Sequence, residues 1–152
     1  MARYDLHPNT HEEEFSQDAV NTNKSVTVGL FDAVPIGKNK TLIAEILRVA
    51  WRLDPRGDAN AREVEGELID SVTEKTLDFA WLRADPNSGD CQSWAPHDLT
   101  DGQGHGVLLT KNPTLRLESA GFASLLARVS VLIFWRYVEV SNTELVQLLG
   151  GV

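Results

Sequence analysis

The segment 128–140 constrains the fold of this chain more than any other stretch of the sequence. Its side chains are mostly β-branched or aromatic, the types enriched in strands: Val129, Val131, Ile133, Phe134, Trp135, Tyr137, Val138 and Val140. Alternate residues of a strand point to opposite faces, so Ile133 and Phe134 lie on different faces. Because both faces are apolar, we expect one to pack on an opposite sheet and the other under a helix, a loop or a neighbouring chain.

Shorter segments with the period of a strand precede it. Residues 25–31 alternate until Pro35 and Gly37 interrupt the pattern. Four further strands are predicted at 63–69, 76–82, 106–110 and 114–118. On the strand at 76–82, Leu77, Phe79 and Trp81 share one face.

Segment 41–54 fits two structures. A helical stripe runs through Leu42, Ile43, Ile46, Leu47, Ala50 and Leu53. The strand alternation places Arg48, Arg52 and Asp54 on one face, and the segment ends in a turn sequence, Asp54-Pro55-Arg56-Gly57-Asp58. We favour the strand.

Turn and cap signals connect these elements. Asn112-Pro113 is expected to turn strands 106–110 and 114–118 against each other. The stretch 83–106 is dense in Asp, Pro, Asn, Ser and Gly and is predicted to be a surface loop that makes contacts. Ser141 and Glu144 have capping-box spacing, which predicts a short C-terminal helix that Gly150 can end.

The expected domain organisation follows from these patterns. Residues 1–24 are polar and acidic with few apolar anchors, and we interpret them as an extended N-terminal arm that becomes ordered against a neighbour. Residues 25–152 are interpreted as a single domain. The fold class is all-β, an antiparallel β-sandwich or jelly roll with a short C-terminal helix.

Composition narrows the possible roles. A formal net charge of −8 makes direct binding to nucleic acid an unfavoured role, since that binding depends on clustered Lys and Arg. A single cysteine, Cys91, gives no disulfide framework, and the N-terminus lacks the features of a signal peptide. The apolar run 129–135 is far shorter than a membrane-spanning helix, which needs about 20 residues, so membrane insertion is not expected.

Candidate catalytic and metal-binding residues are few. His7 and His11 are four apart, but Phe15 stands where HExxH requires its second histidine, and Pro8 disfavours a helix. Cys91 and His97 share a loop without a recognisable catalytic motif. We therefore assign no catalytic, cofactor-binding or metal-ligating residue and expect no enzymatic activity.

Two polar motifs have structural interpretations. Residues 98–106 offer aspartates and glycines but match neither an EF-hand nor a Walker A motif, so a close glycine approach to a strand is favoured over a ligand site. Glu63, Glu65 and Glu67 alternate with apolar or small residues and predict the wet face of a strand.

The C-terminal third carries a resemblance. Residues 101–109, 115–117 and 128–141, followed by the helix start at Glu144 and Leu145, resemble the end of small single jelly-roll capsid proteins of viruses. The resemblance implies a structural subunit present in many symmetric copies, with an N-terminal arm, an eight-stranded sandwich and contact loops, and with no cofactor or active site. One departure is the acidic arm, with Glu12, Glu13, Glu14 and Asp18, where RNA-packaging capsid proteins often carry basic residues.

The leading hypothesis is therefore a self-assembling subunit of a viral capsid or virion, made in the host cytoplasm, whose partners are its own copies and other virion proteins. The alternative is a non-catalytic β-sandwich binding module that uses Trp81, Trp94 and the loops within 85–106 for a carbohydrate or protein ligand. A third class, a small cupin-like or lyase-like enzyme, requires His97 and His105 to converge with carboxylates in a barrel mouth.

Overall fold

The computed structural model describes residues 2–3, 8–91 and 94–150. Within them the chain forms strands and one short helix. The elements are β1 (Ala2–Arg3), β2 (Asn9–Ser16), β3 (Asn23–Thr27), β4 (Val34–Pro35), β5 (Lys40–Asp54), β6 (Arg62–Ile69), β7 (Thr76–Ala84), β8 (Ala95–Asp98), β9 (Val107–Leu109), β10 (Thr114–Ala120), β11 (Arg128–Ser141) and α1 (Asn142–Leu148).

The strands form two antiparallel sheets. In the seven-stranded sheet A, β11 pairs with β5 on one side and with β1 and β2 on the other, while β4, β9 and β8 pair in succession along the far side of β5. Sheet B has the order β3-β10-β6-β7. Most neighbouring strands are distant in sequence because the chain crosses repeatedly between the sheets, which is the arrangement of a jelly roll.

The core lies between the sheets. Sheet A contributes fully buried Trp51 and Ile133, and sheet B contributes Leu68 and Leu115. A Cβ on Gly66 of β6 would lie 2.6 Å from the Trp51 ring, so the glycine makes room for the indole. This close approach lets the two sheets pack around the fully buried Trp51 indole.

Segment 41–54 is a strand, as expected, with one irregularity. Arg48 pairs with Phe134 and Ile46 pairs with Trp135, so Leu47 is an extra residue at a β-bulge. Beyond the bulge the outward face becomes apolar and fully buried at Ile43, Val138 and Val140. Helix α1 contacts both strands there, and its Leu145 and Leu148 pack against the core.

The expectation that β11 is covered on both faces is confirmed only in its C-terminal part, where α1 packs. Val131 and Ile133 face the opposite sheet, and Val138 and Val140 are buried where the helix packs. Leu132 and Phe134 are only half-buried on the outer face. The capping box is present: Ser141 Oγ accepts from the Glu144 N–H, and Glu144 Oε2 accepts from the Ser141 N–H.

Three expectations need correction. Residues 9–16 were expected in an arm outside the sandwich, yet they form β2, paired with β11 along its whole length. The stretch 83–106 was expected to be loop, but residues 95–98 form β8 on the edge of β5. Neither segment has the apolar alternation that predicts a strand. Each is a strand because it pairs with a long neighbouring strand, and the local sequence does not encode that pairing.

The third correction concerns Asn112-Pro113. It was expected to join a hairpin, but β9 lies in sheet A and β10 lies in sheet B. The Asn112 Oδ1 accepts the N–H groups of Leu30 and Phe31, both at 3.0 Å. The connection therefore crosses from one sheet to the other and is anchored to the segment after β3.

Within the described residues, no helix is both long enough and apolar enough to cross a membrane.

Candidate interaction surfaces

The outer face of sheet B carries two exposed aromatic side chains. Phe79 and Trp81 stand two residues apart on the edge strand β7 and are 58% and 51% exposed. Phe79 and Trp81 thus point to solvent together, as expected, whereas Leu77, predicted on the same face, lies at a register shift and packs against the core. Beside them lies a pocket of about 130 Å³ lined by Glu63, Glu65, Trp81, Glu118, Ser119 and Ala120.

Charge on this face is negative. As expected, Glu63, Glu65 and Glu67 occupy the outer side of β6 while Val64 and Leu68 are buried. Arg116 engages Glu118 at 3.0 Å and Glu67 at 3.7 Å. Among the described residues, Glu63 and Glu65 form no ion pair. We call Phe79, Trp81, Glu63 and Glu65 the acidic-aromatic surface.

The outer face of sheet A combines arginine with apolar groups. Arg48 and Arg52 are exposed on β5, and the Arg48 guanidinium lies 5.6 Å from the ring centre of Phe134. Leu132 is half-buried next to Ala50 in the register. We call Arg48, Arg52, Leu132 and Phe134 the arginine surface.

Buried charges organise the loops at one end of the sandwich. Asp58, 2% exposed, accepts four backbone N–H groups, from Leu125, Ser124 and Ala123 at 2.9 Å and from Asn60 at 3.2 Å. These amides, Leu125 first, hold the pKa of the Asp58 carboxyl well below its ordinary value. The carboxylate therefore joins the loop after β5 to the loop after β10.

Arg62 does the same with backbone carbonyls. Its buried guanidinium donates to five of them: Pro55 O at 2.7 Å, Asn60 O and Asp85 O at 2.8 Å, and Arg56 O and Ser88 O. The loops after β5 and β7 thereby share one rigid anchor. Sequence reasoning missed Asp58 and Arg62, since a charged residue in a turn-rich segment carries no local sign that it is buried.

His97, considered beside Cys91, has a different partner. Its Nδ1 lies 2.7 Å from Asp78 Oδ2, which also accepts the indole N–H of Trp51 at 2.6 Å. Cys91 Sγ instead lies 4.0 Å from Gly89 O. This polar group links the edge strands β7 and β8 across the sandwich, and no local sequence pattern predicted the role of Asp78.

The other histidines pair separately. His11 Nε2 contacts Glu13 at 3.1 Å on the inner side of β2, and His105 Nδ1 lies 3.7 Å from Asp101. His7 lies outside the described residues. Across the part of the chain that is described, no three His, Cys, Asp or Glu side chains come together as a metal site.

The loop 98–106 folds on itself. Asp98 Oδ1 accepts from the N–H and hydroxyl of Thr100, with the hydroxyl contact the stronger cause of a lowered Asp98 pKa. Asp101 Oδ1 accepts from the N–H groups of Gln103 and His105. A Cβ on Gly106 would lie 2.0 Å from Ile46 O, which confirms the expected close approach to a strand.

Comparison with known proteins bears on the fold of this chain. No protein-family model and no curated protein sequence matches the chain. Among solved structures, the VP1 protein of Trichodysplasia spinulosa-associated polyomavirus, in complex with GM1 oligosaccharide, matches with a TM-score of 0.56 at 8% identity, over 93% of this chain and 97% of that chain.

Two further matches have lower TM-scores. The capsid asymmetric unit of cyanophage Pam1 gives 0.46 at 17% identity, over 90% of both chains. The Desmodium yellow mottle tymovirus structure gives 0.42 at 10% identity, over 92% of this chain and 93% of that chain. Two antiparallel sheets, the crossing connections and the likeness to VP1 together show that this chain has a jelly-roll fold, shared with a polyomavirus VP1.

Proposed function

We propose that the protein is a structural subunit of a viral capsid or virion that assembles in many copies. The jelly-roll fold supports this role, since the match to a polyomavirus VP1 covers nearly the whole of both chains. Fold alone does not define function, so the proposal also depends on the surfaces of this chain.

The observation that carries the proposal is that both outer faces of the sandwich expose apolar side chains. Phe79 and Trp81 are more than half exposed on sheet B, and Leu132 and Phe134 are half-buried on sheet A. Apolar groups grouped on a surface mark protein contacts. If each subunit has a neighbour on both faces, subunit contacts cover both groups of apolar side chains.

The proposed role is structural and not catalytic. The polar side chains described above hydrogen-bond to other strands and loops of the same chain, as at Asp78, Asp58 and Arg62. The proposed partners are other copies of the chain and other virion proteins, in a particle built in the host cytoplasm. An acidic surface repels phosphate, so direct contact with the genome is not part of this role.

The N-terminal segment 1–24 has an intersubunit role in the same proposal. Glu12 and Glu14 are exposed on the outer face of the edge strand β2. An edge strand offers unpaired backbone groups, and its acidic side chains favour contact with a protein over contact with nucleic acid.

The test is the mass of the purified protein, measured by light scattering across a concentration series and by electron microscopy. We expect a discrete, large assembly. Phe134→Asp places a carboxylate on a half-buried outer position and is expected to give a folded monomer, because a charge buried at a contact without a partner is costly. Val34→Asp, at an exposed apolar position outside both surfaces, is the matched control and should assemble normally. A parent protein that stays monomeric at all concentrations contradicts the proposal.

A second candidate function is a binding module for a carbohydrate or protein ligand. Trp81 on β7 and Trp94 before β8 are 51% and 40% exposed, and exposed aromatic rings suit sugar faces. A monomer whose tryptophan fluorescence changes on titration with oligosaccharides, and no longer does so after Trp81→Ala, would favour this role over assembly.

A further inference from the structure

We propose that the acidic-aromatic surface of one copy binds the arginine surface of a second copy, with Arg52 of the second copy seated between Trp81 and Glu65. This inference rests on the proposed function and names the contact through which the subunits assemble. The partner of each surface is another molecule of the same chain.

The acceptor side has the chemistry of a guanidinium site. Glu65 lies beside Trp81 in the strand register, and Glu63 lies one pair further along the same face of β6. Both carboxylates line the pocket of about 130 Å³ next to the indole. An exposed indole face attracts a cation, and arginine stacks on aromatic rings while donating to carboxylates.

The rest of this face leaves those two carboxylates available. Arg116 is already shared by Glu67 and Glu118. Arg83 stands opposite Glu63 in the register but forms no ion pair with it among the described residues. Within the described part of the chain, the two glutamates beside the exposed tryptophan therefore form no ion pair.

The arginine surface supplies a cation that has no carboxylate partner among the described residues. Arg52 is exposed on β5, and no described residue forms an ion pair or side-chain hydrogen bond with it. The edge strand β8 ends opposite Trp51, so no residue of β8 pairs with Arg52. Leu132 and Phe134 lie on the same outer face, where they can pack on Phe79 as Arg52 meets its carboxylates.

The two surfaces lie on opposite outer faces of the sandwich, so the same contact cannot be reciprocal within a dimer. It is heterologous, and each copy uses one surface for each neighbour. Because Trp81 lies on the edge strand of its sheet and not at its centre, successive copies are offset to one side. A heterologous contact of this kind closes into a ring if the rotation matches, and otherwise forms a filament.

The test is a charge exchange. Glu65→Arg and Arg52→Glu, each alone, are expected to raise the concentration of half-assembly at least about tenfold, as expected for a central contact residue. The double variant restores complementary charges and should return assembly toward the parent value. Asp32→Arg makes the same charge change at an exposed position outside both surfaces and should leave assembly unchanged. Circular dichroism establishes that every variant is folded.

The outcomes separate this inference from the proposed function. Parent assembly that neither single variant weakens overturns the contact while the capsid role stands. A double variant as dissociated as the singles also overturns it. A monomeric parent overturns the contact and the capsid role together.

A cross-linking experiment tests the same pairing without reversing any charge. In a Cys91→Ser background, Arg52→Cys and Glu65→Cys are prepared separately and mixed under mild oxidation. A heterologous contact gives a disulfide-linked dimer in the mixture and not in either variant alone. Equal dimer in a single-variant sample would show that the same position of two copies meets, which would overturn the proposal.

Discussion

The indole N–H of Trp51 on sheet A donates to Asp78 Oδ2 on sheet B at 2.6 Å, so the largest fully buried side chain among the described residues is also a polar link between the sheets. Asp78 has a second partner in His97. Asp78→Ala should lower the free energy of unfolding by about 1–3 kcal/mol, since it leaves a buried donor without an acceptor. Urea denaturation measures the change. His97→Ala, which leaves the indole bond intact, should cost less, and an equal loss would contradict this account.

Ile133 and Leu132 provide a matched pair on β11. Ile133 is fully buried between the sheets, whereas Leu132 is half-buried on the outer face. Ile133→Ala is expected to cost about 2–5 kcal/mol through lost burial and a cavity. Leu132→Ala should cost distinctly less in an isolated monomer. Similar losses for the two variants, measured by denaturant unfolding under monomeric conditions, would place the core elsewhere.

Arg62 is expected to resist conservative replacement. Lysine keeps the positive charge but has three donors on one nitrogen, which cannot reach five carbonyls in different directions. Arg62→Lys should destabilise the fold by about 3 kcal/mol, since carbonyls lose a charged donor. Arg83→Lys on the exposed side of β7 is the control. Hydrogen exchange should accelerate in the loops after β5 and β7 in the Arg62 variant alone.

Asp58 predicts a loss of stability in acid. Backbone N–H groups lower its pKa from the ordinary 3.8, so the folded state binds this proton more weakly than the unfolded state does. The Asp58 carboxylate therefore makes its full contribution to the free energy of unfolding above the pKa of the unfolded state. That contribution is lost as the pH falls below about 4 toward the pKa of the folded state. Asp58→Asn removes this titration, and its melting temperature should depend less on pH between 5 and 2 than that of the parent. Parallel pH profiles for the two proteins would contradict the assignment.

Two glycines of one loop should behave differently. A Cβ on Gly106 would lie 2.0 Å from Ile46 O, while a Cβ on Gly102 would meet nothing within 4 Å. Gly106→Ala should separate β9 from β5 and cost about 1–3 kcal/mol or more. Gly102→Ala should be close to neutral in the same thermal unfolding experiment.

The elements that the sequence predicted well are those whose own side chains meet the core. β6 alternates buried and wet positions along Arg62–Ile69, and β11 is apolar on both faces, so period and composition were sufficient. The helix α1 was predicted from its cap, because Ser141 and Glu144 satisfy each other's backbone locally. Local physics decides these elements.

The sequence by itself therefore determined an all-β sandwich, its central strand and its terminal helix, because side-chain periodicity and capping act over a few residues. Only the tertiary structure decided that β2 and β8 are strands, since each is held by hydrogen bonds to a long neighbour far away in sequence. The same holds for the surfaces. Trp81 meets Glu65, and Asp58 meets Leu125, only because strand register and loop packing bring distant segments together, and no local pattern records that geometry.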